Sequence, residues 1–171
     1  METWDAIRAR RNVRSYTDEP IEPAALERIL EAARRTPSSR NWQPWDFVLV
    51  TERERLRELA TVWQGAGHVA TSAATIALIT AVHESERDRS IAWFDLGQAT
   101  MSIMIEAADL GIGTGHSAVG DQDLARRLLG LPADRRCAFL IALGHPADRP
   151  LAPLTKINRR AFDEVVHRER W

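Results

Sequence analysis

Residues 36–50 read Thr-Pro-Ser-Ser-Arg-Asn-Trp-Gln-Pro-Trp-Asp-Phe-Val-Leu-Val, a polar turn running straight into a strand. Pro37 fixes φ at the front, and Ser38, Ser39 and Asn41 carry side chains that bond nearby backbone or a ligand. Asp46 to Val50 is a run of β-formers typical of a buried strand. Between the halves, Gln43 and two tryptophans are held by a second proline, Pro44. Such a loop can present fixed hydrogen-bonding groups to a small molecule. It can equally be a Trp-plugged core edge with a tight turn, and on its own it leaves both open.

Upstream, Glu22-Pro23 opens a helix with proline in its first turn. Leu26, Ile29, Leu30 and Ala33 follow at helical spacing until Pro37 ends it. Residues 4–10 form a shorter helix expected to turn Trp4, Ile7 and Ala6 inward. It runs into Arg10-Arg11-Asn12-Val13-Arg14-Ser15-Tyr16, three arginines within five residues. Guanidinium forks bind phosphate in pairs of hydrogen bonds, and Asn12 adds a neutral donor. A solvated basic turn accounts for the same residues.

Downstream, Thr51-Glu52-Arg53-Glu54 has the form of a capping box and predicts a helix from there to about Ala60. Residues 63–68 form a glycine-loosened loop, and 73–82 a strand buried on both faces. A charged connection, 83–89, leads to the longest helix, residues 90–110, with apolar groups almost all round its axis. A helix of that kind is buried on every side, and a small domain cannot easily surround it. A subunit interface is therefore expected. Residues 111–120 read as a loop or short strand, Asp121 as the cap of a helix to Leu129, and 136–143 as another apolar strand. The tail holds only a short helix near 162–167. Helices and strands alternate irregularly, which predicts an α+β or mixed-sheet domain rather than a repeated βαβ array.

At 171 residues one domain spanning 1–171 is expected, and 44% hydrophobic residues can furnish its core. Basic and acidic residues number 23 and 24, so nothing draws the chain to nucleic acid or a membrane surface. No apolar stretch approaches a membrane span and no signal peptide opens the sequence, so a cytoplasmic protein is expected. One cysteine, Cys137, lies in an apolar run as a buried thiol. Five histidines show no metal-ligand spacing, and no metal is assigned. Gly111-x-Gly113-x-Gly115 is not a dinucleotide fingerprint, because it follows a helix and its third glycine is misplaced.

Taken in order, the arginine segment, residues 29–50, Asp95-Leu96-Gly97-Gln98-Ala99 and Ala107-Ala108-Asp109-Leu110-Gly111-Ile112-Gly113-Thr114 resemble the nitroreductase family. So do Leu128-Leu129-Gly130-Leu131-Pro132, Ala142-Leu143-Gly144-His145-Pro146 and the tail 159–167. The resemblance implies an α+β fold with a mixed, mostly antiparallel sheet sandwiched by helices, in an intertwined homodimer. It implies FMN at the subunit interface, NADH or NADPH as electron donor, and a small-molecule acceptor such as a nitroaromatic or quinone. Hydride would pass through flavin N5 in a ping-pong cycle, with no catalytic side chain. A protein that holds FMN without turnover is the alternative.

By position, Arg10, Arg11, Asn12 and Arg14 resemble the segment on the FMN phosphate and ribityl chain, with Arg159 as a second phosphate arginine. Ser38, Ser39, Asn41 and Gln43 resemble the loop that the other subunit contributes. The backbone at Ser117, Ala118 and Val119 resembles the stretch facing flavin N5 and O4. His68 stands where relatives carry a lysine at the flavin pyrimidine edge. The insertion that forms a lid in larger relatives is minimal here, so the substrate slot is expected to be open.

Overall fold

The computed structural model describes residues 1–155 and 158–171. Four strands, β1 (Asp46–Val50), β2 (Ala74–Ala81), β3 (Gly113–Ala118) and β4 (Arg135–Gly144), form one sheet in the order β1-β2-β4-β3. Every pairing between these strands is antiparallel. The parallel component is a single bridge, Asn12 to Thr114.

Strand alternation sends neighbouring residues to opposite faces, and each face receives its own helical layer. Ile76, Leu78, Ile141 and Leu143 pack against α2 (Pro23–Arg34) and α4 (Glu86–Asp109). Ala77, Ile79, Leu140 and Ala142 pack against α3 (Arg53–Leu59), the Val69 turn and Ala125 of α5 (Gln122–Leu129). The fold is α+β, with the sheet between two helical layers. Among the described residues no helix is long and apolar enough to cross a membrane.

Several helix ends differ from expectation. Pro23 does open α2, and Asp121 does cap α5, accepting the Leu124 N–H at 2.8 Å. The capping box at Thr51 does not form. The helix begins one residue later with Glu52 at the cap, and no side chain bonds the first turn. Residues 86–89 belong to α4, not to a connection. Ser85 caps it, and Glu86 and Asp88 lie favourably against its N-terminal dipole.

Within the single chain two apolar faces are left partly uncovered. In α1 (Thr3–Ala9), Ala6 and Ala9 are buried while Trp4 is 65% exposed and Ile7 is exposed as well. The small alanines allow α1 to lie close on the body, which leaves the larger side chains outside. Likewise α4 is buried along one face only, with Leu96, Ala99, Ile103 and Ala107 against the sheet. Phe94 is 70% exposed, and Met101 is exposed too.

Candidate functional site

Residues 10–16 are fastened along the β3 edge of the sheet. Val13 donates its N–H to the Thr114 carbonyl at 2.7 Å, and Tyr16 bridges to Pro146. The Tyr16 hydroxyl donates to the Val13 carbonyl at 2.7 Å, and burial pushes its pKa up. This seating needs glycine on the strand. A methyl group at Gly115 would overlap the Val13 carbonyl oxygen, and one at Gly113 would sit 2.7 Å from the Val13 side chain.

That seating brings Arg10 and Asn12 beside the exposed His116 of β3, with Arg14 near His68 and Tyr16. His116 Nδ1 lies 3.1 Å from Asn12 Oδ1. Arg10, Gly97, Thr100, Met101, His116 and Phe139 border a largely apolar cavity of about 310 Å³. Arg10 Nε and Thr100 Oγ1 are buried without a hydrogen-bond partner. Gly97 faces open space in mid-helix, where alanine would be favoured by about 1 kcal/mol. Orphaned donors and an open helix face beside basic residues suit an anionic ligand with an extended apolar body.

Beneath β3, His68 is buried in the turn Gly67–Thr71, its Nε2 3.1 Å from the Gly115 carbonyl. Burial lowers its pKa, with the Arg14 cation adding to that and the Gly115 carbonyl opposing it. His68 therefore supports the strand from behind. Ser117 is buried, whereas His116 and Ala118 face outward.

The loop 38–43 sits elsewhere, at the start of the opposite edge strand. Arg40, Asn41 and Gln43 all have positive φ, at 54°, 57° and 53°. Asparagine tolerates that region, but three non-glycine residues in it within four positions is stored strain, which collects at ligand-holding segments. Ser39 N–H donates to Asp95 Oδ2 at 3.0 Å. Inside the loop Gln43 N–H donates to Ser38 Oγ at 2.9 Å, Asn41 N–H to the Ser38 carbonyl and Trp42 N–H to the Ser39 carbonyl, both at 3.0 Å, and Gln43 Nε2 to the Asn41 carbonyl at 3.1 Å. Asp95, which carries no site role in the sequence reading, is fully buried, a lone acid on the apolar face of α4. An acid among residues at core spacing is the signal that marks it.

Two expected residues are not gathered at either place. Arg11 turns to the chain's own tail, donating to Asp148 Oδ1 at 2.7 Å and to the Arg149 carbonyl at 2.8 Å. Arg159 is exposed in the tail, its guanidinium on the Asn158 carbonyl. Cys137 is buried, its thiol pushed up to about 12 by burial.

The pattern of the nitroreductase family matches residues 7–66 and 60–145. The chain belongs to the nitroreductase family. It is accordingly an oxidoreductase. A similar protein from Archaeoglobus fulgidus, provisionally named NADH dehydrogenase/NAD(P)H nitroreductase, is 30% identical over 96% of both chains. The FMN reductase [NAD(P)H] of Bacillus subtilis is 25% identical, covering 93% of this chain and 73% of its own. A solved structure from Parabacteroides distasonis, with the same provisional name as the Archaeoglobus protein, superposes with a TM-score of 0.83. It is 27% identical and covers 100% of this chain and 99% of its own.

Proposed function

We propose that this nitroreductase-family chain is an FMN-dependent NAD(P)H oxidoreductase for nitroaromatic, quinone or similar conjugated acceptors. It works as a homodimer of single 1–171 domains, each site shared between two chains. One observation carries the shared site: the arginine segment lies on β3 and the strained loop leads into β1, at opposite edges of the sheet. Three strand spacings separate those edges, roughly 14 Å. The exposed apolar groups of α1 and α4, Trp4, Ile7, Phe94 and Met101, offer the surface on which a second copy brings its loop to the first copy's arginines.

The donor set fits FMN. Arg10 and Arg14 supply charge for a terminal phosphate, Asn12 and Thr100 supply neutral donors for a ribityl chain, and the cavity beside Gly97 is apolar enough for a ring system. The exposed Arg159 is the tail cation left available to the phosphate, and Ser38, Ser39, Asn41 and Gln43 are assigned to the partner's contribution. When bound, FMN supplies the two-electron chemistry between nicotinamide and acceptor. The chain holds and orients, and His68 keeps the backbone of 115–119 in place as the wall facing the ring.

The test is the absorbance spectrum of the purified protein, followed by anaerobic titration with NADH and NADPH. Flavin absorbance that bleaches with nicotinamide and returns on adding menadione is the expected result. Flavin that is taken up but stays oxidised would make this a flavin-holding protein instead.

A further inference from the structure

Trp63 is held flat and half open. A methyl group at Gly120 would overlap the six-membered ring of its indole, and one at Gly65 would sit 3.0 Å from its Nε1. Both glycines thus leave room for the ring to lie against backbone. The Gly120 and Asp121 amides donate to the Val62 carbonyl at 3.0 and 2.9 Å, which fastens the loop after β3 to the residue before Trp63. Despite this, Trp63 is 41% exposed. The open part borders a cleft of about 760 Å³ lined also by Gln64, Asp121, Gln122 and Asp123. Among the described residues, no basic side chain lines it. Asp121 is committed to capping α5, and Asp123 accepts from Arg126 at 2.7 Å.

We infer that Trp63 is a stacking wall for a planar, uncharged acceptor, and that Asp121 and Asp123 disfavour anionic ones. A rigid indole offers area for stacking at little entropic cost, because its rotamer is fixed before the ligand arrives. Asp121 has no ion-pair partner among the described residues, and although Arg126 partly offsets Asp123 the lining stays net negative, which disfavours a carboxylate-bearing ligand. The cleft begins where residues 117–119 end, so the inference rests on reading that stretch as the wall facing the flavin.

The test uses an isosteric pair, 4-nitrobenzamide and 4-nitrobenzoate, titrated without nicotinamide by calorimetry in every variant, with tryptophan quenching as a second readout where Trp63 is present. Titrations are run on the protein as purified and after saturation with FMN, so that binding at Trp63 is read in either case. The neutral probe should bind at least tenfold more tightly than the anion. Trp63→Leu should weaken the neutral probe about tenfold, and Trp63→Phe should restore most of the loss. Asp121→Asn with Asp123→Asn, which keeps the helix cap, should tighten the anion about fivefold and leave the amide unchanged. In steady state, Trp63→Leu should raise KM for the amide more than it lowers kcat. Equal affinity for both probes in every variant, or an unchanged amide affinity in Trp63→Leu, overturns the inference. Failure to take up FMN overturns the functional reading separately, since it is seen in the flavin spectrum and not in the probe titrations.

Discussion

The carboxylate of Asp95 accepts the backbone N–H of Ser39 at 3.0 Å, joining the centre of α4 to the strained loop. Its other oxygen accepts from Gln98 Nε2 at 3.1 Å. Asp95→Ala leaves both donors without a partner and should cost about 1.5–3 kcal/mol in a urea titration. Asp95→Asn, which can still accept from Ser39, should cost less. Equal stability of wild type and the alanine variant would show that the loop is held by other means.

FMN should bind in preference to riboflavin. Arg10→Ala and Arg159→Ala should each weaken FMN by about 1.5–3 kcal/mol, the usual worth of a charge-assisted bond. Riboflavin affinity should hardly change. Calorimetry giving equal affinities for the two flavins would remove the phosphate role.

A shared site can be tested by complementation. One chain is altered at Arg10 and Arg14 and another at Ser39 and Asn41, each with its own tag. Either homodimer should bind almost no FMN. The mixed dimer collects both defects in one site and leaves the other intact, so it should bind about one flavin per two chains. A verified mixed dimer without flavin would place arginines and loop in the same site from the same chain.

Gly115→Ala should destabilise the protein by about 1–3 kcal/mol, because its methyl displaces the Val13 backbone that carries the arginine segment. FMN binding should fall with it. A thermal melt unchanged by this substitution would mean that residues 10–16 are not seated on β3.

Two buried groups set opposite pH limbs. The folded pKa of His68 is lowered from 6.5 by burial, so the unfolded chain takes up its proton first. That stability is present above about pH 6.5 and is lost as pH falls below it. Cys137 is raised from 9.0 to about 12 by burial, so its contribution is present below pH 9 and is lost as pH climbs toward 12. Urea midpoints for His68→Gln between pH 7.5 and 5.5 should fall less steeply than for wild type, and Cys137→Ala should do the same between pH 9 and 10.5. The thiol should also resist a disulfide reagent at pH 8 until urea is added.

Much of this was legible in the sequence because the signals were local. The buried strands β2 and β4 are apolar runs, Pro23 fixes a helix start, and Asp121 caps the next helix as its side chain dictates. The strand β3 was half hidden by its glycines, whose reason is the approach of Val13 from another part of the chain. Trp4 and Ile7 were placed inward because periodicity reports which residues share a face and not which face meets the core. Arg11 was assigned to the ligand because its partner, Asp148, lies 137 positions away. The role of Asp95 likewise depends on a contact across 56 positions.

The seating of residues 12–16 along β3 has one more effect. A bare strand edge invites another chain to add to it. On one side of this sheet the chain's own N-terminal segment occupies part of that edge, through the Asn12 bridge and the Val13 bond. On the other, no strand among the described residues pairs with the outer edge of β1. Growth by strand addition is therefore open in one direction only. Chains added edge to edge through β1 would stop at two, so this sheet does not template a fibre.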